Sequence, residues 1–263
     1  MPFSFRQSVH SALRSAAALL PLAYMFAQAE TASPRALTYE VHQPVQKTAH
    51  PPLLVALHGR GGNEQDMQGL VPYLPRTFLL VSPRAPFDNG GVGYRWFKNS
   101  PRNGHYDADP QELAIGRQAL DKLIREVSAT YKVDPQRIYL AGFSQGAVMT
   151  YQMALSEPKR FRGAIILSGA IFPSQLAQLR PSESLTELDL FVAHGTADER
   201  IDYNYAEQAK ASLERLGVTF DLHVYRGMTH QMGTQELREL GAWLIARNRE
   251  TGAAQMSSAV DSR

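Results

Sequence analysis

A serine inside a glycine-flanked pentapeptide is the residue of this chain whose setting most strongly indicates chemistry. Ser144 is the centre of the run Gly142–Gly146, which reads Gly-Phe-Ser-Gln-Gly. A strand-like apolar stretch (137–141) leads into this run, and a helix-like stretch (147–155) follows it. A sharp strand-to-helix turn exposes a serine hydroxyl, and it needs very small residues on both sides because backbone atoms come close there. The pattern therefore predicts a nucleophilic Ser144. The alternative is a glycine-rich turn with a capping serine.

A serine hydroxyl needs a base to remove its proton, and that base needs an acid to orient it. The histidines that follow Ser144 are His194, His223 and His230. His194 belongs to a strand end and His223 to an apolar strand, whereas His230 lies in a loop between the last strand and the last helix. Loops at the C-terminal ends of strands carry catalytic residues in α/β sheets, so we predict that His230 is the base. A surface histidine without a role is the alternative.

The predicted acid is Asp198, which follows a strand-like run after a short loop. Glu199 and Asp202 are close rivals, although a helix-capping role suits Asp202 better. We therefore expect Ser144, Asp198 and His230 to act together.

Two backbone N–H groups are predicted to stabilise the negative oxygen that forms when a serine attacks a carbonyl group. The first belongs to Gln145, directly after the serine. The second belongs to Arg60 in the glycine-rich loop 58–63, which follows a predicted strand. An ordinary glycine-rich turn is the alternative for that loop. We expect His58, at the strand end, to be tied to the backbone rather than to act as a base.

Apolar runs and helical spacing alternate along the chain, which indicates an α/β fold with a mostly parallel sheet and helices on both faces. A helix is predicted from Asp109, with Asp109 as its cap and Glu112 completing a capping box. Other helices are expected near 145–155, 205–216 and 235–247. The predicted strands are Leu37–His42, Leu53–His58, Phe78–Ser82, Arg137–Gly142, Ala164–Ser168, Leu188–His194 and Phe220–Tyr225.

Composition excludes several classes of function. The chain of 263 residues has 27 basic and 25 acidic side chains, so nucleic-acid binding has little support. It has no cysteine, which excludes thiolate catalysis, disulfides and cysteine-ligated metals. We expect neither a metal nor an organic cofactor.

The two ends of the chain are expected to differ from the catalytic domain, which we assign to residues 30–250. Residues 1–29 resemble a secretory signal peptide: arginines precede an apolar stretch that is too short to span a bilayer, and Ala27-Gln28-Ala29 forms a cleavage site. Export would make the protein secreted or periplasmic, without a membrane span after cleavage. An interfacial anchor or a disordered extension of a cytoplasmic protein is the alternative. Residues 251–263 are small and polar, and we predict a disordered tail.

The motifs around Gly59, Ser144, Asp198 and His230 together resemble the phospholipase/carboxylesterase family of α/β-hydrolases, which includes acyl-protein thioesterases. The resemblance covers roughly 53–243 and implies that Ser144, Asp198 and His230 form a triad, with the Arg60 and Gln145 amides as the oxyanion hole. That family usually carries a bulky apolar residue, often Leu, where this chain has Arg60.

The family also has a Trp-Phe-Asp run beside its site. Trp96 and Phe97 match it, with Lys98 in place of the acid. By this resemblance Trp96 and Phe97 are expected to bind substrate, while Tyr106 in the same long loop is as well explained by a structural role. The segment 169–187 leaves no room for a cap domain.

We therefore expect a serine carboxylesterase that hydrolyses short- to medium-chain esters, with a small-molecule or lipid-like ester as substrate. A lysophospholipase or an acyl-protein thioesterase would use the same residues. A non-catalytic binding protein of this fold is a third interpretation. Some members of the family form homodimers, so a homodimer remains an expectation.

Overall fold

Seven strands form one sheet whose C-terminal strand ends carry the predicted site. The computed structural model describes residues 36–100 and 107–261, with side chains as far as residue 249. The predicted signal peptide (1–29), Tyr106 and residues 262–263 lie outside this part of the chain. The strands of the sheet are β1 (Tyr39–His42), β2 (Leu53–Leu57), β3 (Leu79–Pro83), β6 (Ile138–Phe143), β7 (Gly163–Leu167), β8 (Asp189–Gly195) and β9 (Thr219–Tyr225); β4 (Phe87–Asp88) and β5 (Tyr94–Arg95) form a separate small hairpin.

The strand order is β1-β3-β2-β6-β7-β8-β9, and only β1 runs antiparallel to its neighbour. In the centre, Leu57 of β2 pairs with Gly142 of β6, and Phe143 pairs with Leu167 of β7. Parallel order brings the C-terminal ends of β2, β6, β7, β8 and β9 to one edge. The predicted mostly parallel sheet is confirmed.

Helices cover both faces of the sheet. The helices are α1 (Pro110–Tyr131), α2 (Gln145–Ser156), α3 (Pro173–Leu176), α4 (Glu183–Thr186), α5 (Asn204–Leu216) and α6 (Thr234–Asp261), with 3-10 helices at Asp66–Tyr73 and Pro158–Arg160. Alternate residues of each strand face opposite layers, because side chains alternate along a strand. Val55 packs in the layer that holds α1, α2 and α5, whereas Leu54 packs in the layer of the first 3-10 helix and α6. Every residue of β2, β3 and β7 is buried.

Local signals explain where two of the helices begin. The Asp109 carboxylate accepts hydrogen bonds from the N–H groups of Gln111 and Glu112, so the predicted cap of α1 is confirmed. The capping box is not formed, because Glu112 pairs instead with Arg95 at 2.8 Å, and the Asp109 N–H donates to the Lys98 carbonyl. Asp202 accepts a hydrogen bond from the Asn204 N–H at 2.8 Å where α5 starts, but the N-cap position is Tyr203, so Asp202 lies one residue before the expected cap position.

The C-terminal helix departs from the prediction. α6 continues to Asp261, so residues 251–261, which we expected to be disordered, belong to a helix. Three alanines in 251–261 favour a helical backbone. The prediction of disorder used the small and polar composition of this segment and not its helix propensity. No helix within 36–100 or 107–261 is long and apolar enough to cross a membrane.

The connection between β7 and β8 contains only α3 and α4, each of four residues. No cap domain enters there, so the edge of the sheet that carries the strand ends stays uncovered on this side. The site is therefore built from strand ends, the loops that follow them and the first turns of helices, without a cap domain between β7 and β8.

Candidate active site

Ser144 lies on a strained turn between β6 and α2. Its backbone has φ 55° and ψ −116°, a left-handed conformation that non-glycine residues rarely adopt. The glycines of the run Gly142–Gly146 make this turn possible. A Cβ on Gly142 would lie 2.2 Å from the Gly146 carbonyl oxygen, and a Cβ on Gly146 would lie 2.2 Å from that of Leu57. The small residues predicted from the pentapeptide are thus required by close backbone contacts.

His230 brings its two ring nitrogens to the serine and to the aspartate. Its Nε2 is 2.9 Å from the Ser144 Oγ, and its Nδ1 is 2.8 Å from Oδ2 and 3.0 Å from Oδ1 of Asp198. Because Nδ1 faces a carboxylate, Nδ1 carries the hydrogen and Nε2 accepts the hydrogen bond from the serine hydroxyl. The structure therefore brings together all three residues of the predicted triad.

Asp198 is completely buried and fully hydrogen-bonded. Its side chain is 0% exposed, and Oδ1 also accepts hydrogen bonds from the N–H groups of Arg200 and Ile201. Burial alone would raise the pKa of Asp198. The hydrogen bonds from His230, Ile201 and Arg200 outweigh burial and hold the pKa below its usual value. Asp198 is therefore ionised when it orients the imidazole.

The rival acid Glu199 and the histidines His194 and His223 form hydrogen bonds outside the contact between Ser144, His230 and Asp198. The Glu199 carboxylate accepts the backbone N–H of His230 at 3.3 Å and does not reach the ring. His194 donates through Nε2 to the Ile201 carbonyl at 2.7 Å, and burial lowers its pKa, so it is a neutral neighbour of Asp198. His223 lies in β9 and contacts Glu239.

His58 is a buried structural residue, as expected. Its Nδ1 donates to the Gly59 carbonyl at 2.7 Å, and its Nε2 accepts the Ala85 N–H at 3.0 Å. Burial lowers its pKa and keeps the ring neutral. This ring joins the loop after β2 to the loop after β3.

The Arg60 and Gln145 amides lie at the site with no competing acceptor. Both residues line the same pocket as Ser144 and His230. Among the described residues, neither N–H donates to a protein acceptor. A Cβ on Gly59 would lie 3.3 Å from the Ser144 Cβ, so the loop of Arg60 contacts the turn directly. Gln145 also begins α2, and the positive end of the helix dipole favours an anion there. This geometry suits an oxyanion between the two amides.

Trp96 and Phe97 do not line the pocket, in contrast to the expectation from the resemblance. Both side chains are 0% exposed. The Trp96 N–H donates to the Gln145 side-chain oxygen at 2.8 Å, and the Gln145 side-chain nitrogen donates to the Phe97 carbonyl at 2.9 Å. The Trp96 indole also donates to the His58 carbonyl. Trp96 and Phe97 are therefore held against the start of α2 and the end of β2, where they support the Gln145 side chain and the loop of Arg60.

An ion pair that sequence reasoning missed fixes the loop of Arg60. Arg84 donates to both carboxylate oxygens of Glu64 and, at 3.1 Å, to the Tyr94 hydroxyl. The hydrogen bond from Arg84 lowers the pKa of Glu64, so the pair is charged. Gly61 and Gly62 in turn exchange backbone hydrogen bonds with Tyr94. The cluster of Glu64, Arg84 and Tyr94 cannot be predicted from a single sequence, because its members are distant along the chain and follow no motif.

The pocket beside Ser144 has a volume of about 810 Å³. Its apolar and aromatic lining residues are Val92, Phe143, Ala170, Ile201 and Tyr205. Its polar lining includes Arg60, Asn89 and Arg200. No group of three or more His, Asp or Glu side chains in 36–100 or 107–249 is placed to hold a metal ion.

The site combines a serine on a strand-to-helix turn with a histidine that contacts both this serine and an aspartate. It lies at the C-terminal strand ends of a parallel sheet covered by helices on both faces. This combination defines the α/β-hydrolase class. The phospholipase/carboxylesterase family model matches residues 38–246. The chain therefore belongs to the phospholipase/carboxylesterase family and is a hydrolase.

Individual relatives are distant. Lysophospholipase-like protein 1 of Mus musculus is 24% identical over 210 residues, which cover 75% of this chain and 87% of that protein. Carboxylesterase SOBER1 of Arabidopsis thaliana is 27% identical, with 63% of this chain and 75% of the relative covered. Acyl-protein thioesterase 1 of Yarrowia lipolytica is 25% identical, over 75% of this chain and 92% of the relative.

Solved structures agree on the fold. The crystal structure of esterase PE8 superposes with a TM-score of 0.69 at 25% identity and covers 81% of this chain and 99% of its own. The Bacillus cereus carboxylesterase superposes with a TM-score of 0.68 at 22% identity and covers 80% of this chain and 94% of its own.

Proposed function

We propose that the protein is a serine carboxylesterase that hydrolyses short- to medium-chain carboxylic esters through an acyl-enzyme. The observation that carries this proposal is the continuous contact from the Ser144 hydroxyl through His230 to the buried Asp198. Such a contact has a chemical use only if the serine attacks an electrophile, because a structural serine needs no oriented base.

In the first half of the reaction, an ester carbonyl carbon lies against the Ser144 Oγ. His230 Nε2 takes the hydroxyl proton as Oγ forms a bond to that carbon, and Asp198 stabilises the imidazolium. The carbonyl oxygen becomes negative and accepts hydrogen bonds from the Arg60 and Gln145 N–H groups, each worth about 3 kcal/mol in such a site. His230 then gives its proton to the alcohol oxygen, which leaves as the bond to the acyl carbon breaks.

In the second half, a water molecule replaces the alcohol. His230 takes a proton from the water as its oxygen attacks the acyl carbon, and the same two amides bind the new oxyanion. The bond to Ser144 breaks, the serine regains a proton from His230, and the acid leaves. No step requires a cofactor.

The size preference rests on the shape of the site. The pocket of about 810 Å³ is lined by both apolar and polar residues, among them Phe143, Tyr205, Arg60 and Asn89. No cap domain enters between β7 and β8, and an uncapped pocket favours small esters taken from water over emulsified long-chain lipid.

Two other assignments use the same residues. Relatives named lysophospholipase-like protein and acyl-protein thioesterase make those activities the first alternatives. A non-catalytic binding protein is the second, and the intact contact between Ser144, His230 and Asp198 argues against it.

We further propose that residues 1–29 are a signal peptide and that the protein acts outside the cytoplasm. Support comes from the order of arginines, apolar stretch and Ala27-Gln28-Ala29.

The test is hydrolysis of p-nitrophenyl esters from acetate to palmitate by the wild type and by Ser144→Ala. We expect turnover to peak at short or medium chains and to fall by at least about 10⁴-fold in the variant, because removing the nucleophile leaves only binding and the oxyanion hole. A palmitoyl thioester and a lysophospholipid, assayed in parallel, separate the first alternatives. Equal turnover by both proteins, or none by either, would contradict the proposal.

A further inference from the structure

Two arginines flank Ser144 at the mouth of the pocket. Arg60 lies on the loop after β2, and Arg200 lies on the loop after β8; both line the pocket. In the sheet, β2 is the neighbour of β6 on one side, while β8 is two strands away on the other side. Neighbouring strands are about 4.8 Å apart, so the two loops start roughly 14 Å from each other with the serine between them.

Neither guanidinium is neutralised by a close carboxylate. Arg60 Nε donates to the neutral Asn89 side-chain oxygen at 3.0 Å, and among the described residues Arg60 forms no ion pair. The Arg200 side chain is 75% exposed, and its contact with Glu199 is long, at 4.0 Å. An exposed pair of this length contributes little. The described residues that line the pocket include no Asp and no Glu. The lining of the pocket therefore carries two arginines and no carboxylate of its own; the nearest carboxylates are Asp198 and Glu199, which contact His230.

The rest of the pocket has a different character. Its apolar and aromatic lining residues are Val92, Phe143, Ala170, Ile201 and Tyr205. A substrate that fills this pocket would place a short apolar part against these residues and a negative group near an arginine. A carboxylate suits a guanidinium because its two oxygens match two parallel N–H donors.

We propose that the preferred esters of this enzyme carry a second, ionised carboxyl group, which Arg60 or Arg200 binds. The proposal rests on the esterase function above and adds a substrate class to it. Since the arginines lie on opposite sides of Ser144, a carboxylate on the acyl group and one on the leaving alcohol would meet different arginines. A concave site with apolar walls strengthens such an attraction relative to an open surface.

Two matched substrate pairs test this. The acyl pair is mono-p-nitrophenyl adipate and p-nitrophenyl hexanoate, which have equal chain length. The alcohol pair is p-carboxyphenyl butanoate and its neutral methyl ester. For each pair the readout is the ratio of kcat/KM for the anionic substrate to that for the neutral one. Because the ratio is taken within one protein, a general change in activity cancels.

We expect the variant Arg60→Gln plus Arg200→Gln to lower this ratio by roughly three- to tenfold for at least one pair. The single variants then show which arginine binds a carboxylate on the acyl group and which binds one on the alcohol. The control is Arg125→Gln plus Arg238→Gln, which removes two exposed charges on α1 and α6 outside the pocket, and it should leave both ratios unchanged.

Unchanged ratios for both pairs in the double pocket variant would overturn the proposal, as would an equal drop in the control. If neutral esters are still hydrolysed in a Ser144-dependent way, the esterase function stands without it. If no ester is hydrolysed, both proposals fall together.

Discussion

Two buried carboxyl groups show how single hydrogen bonds decide ionisation. Asp198 has a partner for each oxygen and remains charged. Glu236, at the start of α6, is 0% exposed; its Oε2 accepts the Gly233 N–H at 2.9 Å, but its Oε1 has no hydrogen-bond partner in the described structure. Burial raises the pKa of Glu236 to about 7. The loop of His230 thus ends against a carboxyl group that is protonated below neutral pH.

This raised pKa predicts a pH-dependent stability. Unfolded Glu236 loses its proton near pH 4.5, whereas folded Glu236 keeps it to about pH 7. The folded state therefore binds more protons in this interval, and Glu236 destabilises the fold increasingly as pH rises from 4.5 to 7. Gln can still accept the hydrogen bond from the Gly233 N–H. The free energy of unfolding of Glu236→Gln, relative to that of the wild type, should therefore rise by roughly 2–4 kcal/mol as the pH increases from 4 to 8.

Urea unfolding across that pH range measures this difference. Glu214→Gln, at an exposed position of α5, is the control for loss of one negative charge, and its difference from the wild type should stay nearly flat. A flat difference for Glu236→Gln as well would contradict the assignment of a protonated buried carboxyl.

At the scale of elements, the site depends on how closely α2 approaches the end of β2. Gly146 in the first turn of α2 faces the Leu57 and His58 carbonyl oxygens, which a Cβ would meet at 2.2 and 2.7 Å. The same approach brings the Gln145 amide beside the loop of Arg60. One contact between helix and strand therefore sets both the turn at Ser144 and the position of the Gln145 amide.

Gly146→Ala should separate α2 from β2. We expect it to lower the free energy of unfolding by about 2 kcal/mol or more, because backbone atoms cannot move aside as a flexible side chain can. The comparison is Gly69→Ala in the first 3-10 helix, where an added Cβ meets nothing within 4 Å. That variant should stay within about 1 kcal/mol of the wild type in urea unfolding. Equal effects of both variants would argue against the close approach.

The sequence predicts elements better than it predicts loops. Apolar runs such as Leu53–His58 identify the strands because a strand buried on both faces needs a continuous apolar segment; β2 ends one residue earlier, at Leu57. The three site residues could be selected because each lies shortly after a recognisable strand: Ser144 directly after β6, Asp198 three residues after β8 and His230 five residues after β9. The burial of Trp96 could not be predicted from the sequence, because its backbone N–H is held by the Gln145 side chain, 49 residues away. Short strands such as β4 carry too few residues for a periodic pattern.

At the scale of the whole molecule, the N-terminal segment 1–29 decides whether the protein is exported or stays in the cytoplasm. If residues 1–29 are a signal peptide, the protein purified from the periplasm or medium of a bacterial host should begin at Glu30. Intact-mass analysis measures this directly. Ala29→Tyr, which places a bulky residue at the predicted cleavage site, should retain the segment. A wild-type protein that keeps residues 1–29 in the cytoplasm would contradict the export proposal.

The parallel sheet also has a consequence for the order in which the chain folds. β2 must wait for β6 before it acquires its second neighbour, since Leu53 pairs with Ile138. The contact between Ser144 and His230 joins residues 86 positions apart. Long-range pairings of this kind slow folding relative to helical proteins, because loops must close before contacts can stabilise them. During synthesis, the turn at Ser144 leaves the ribosome well before His230 does, so the proposed hydrolytic activity should arise only after His230 has emerged and β9 has joined the sheet.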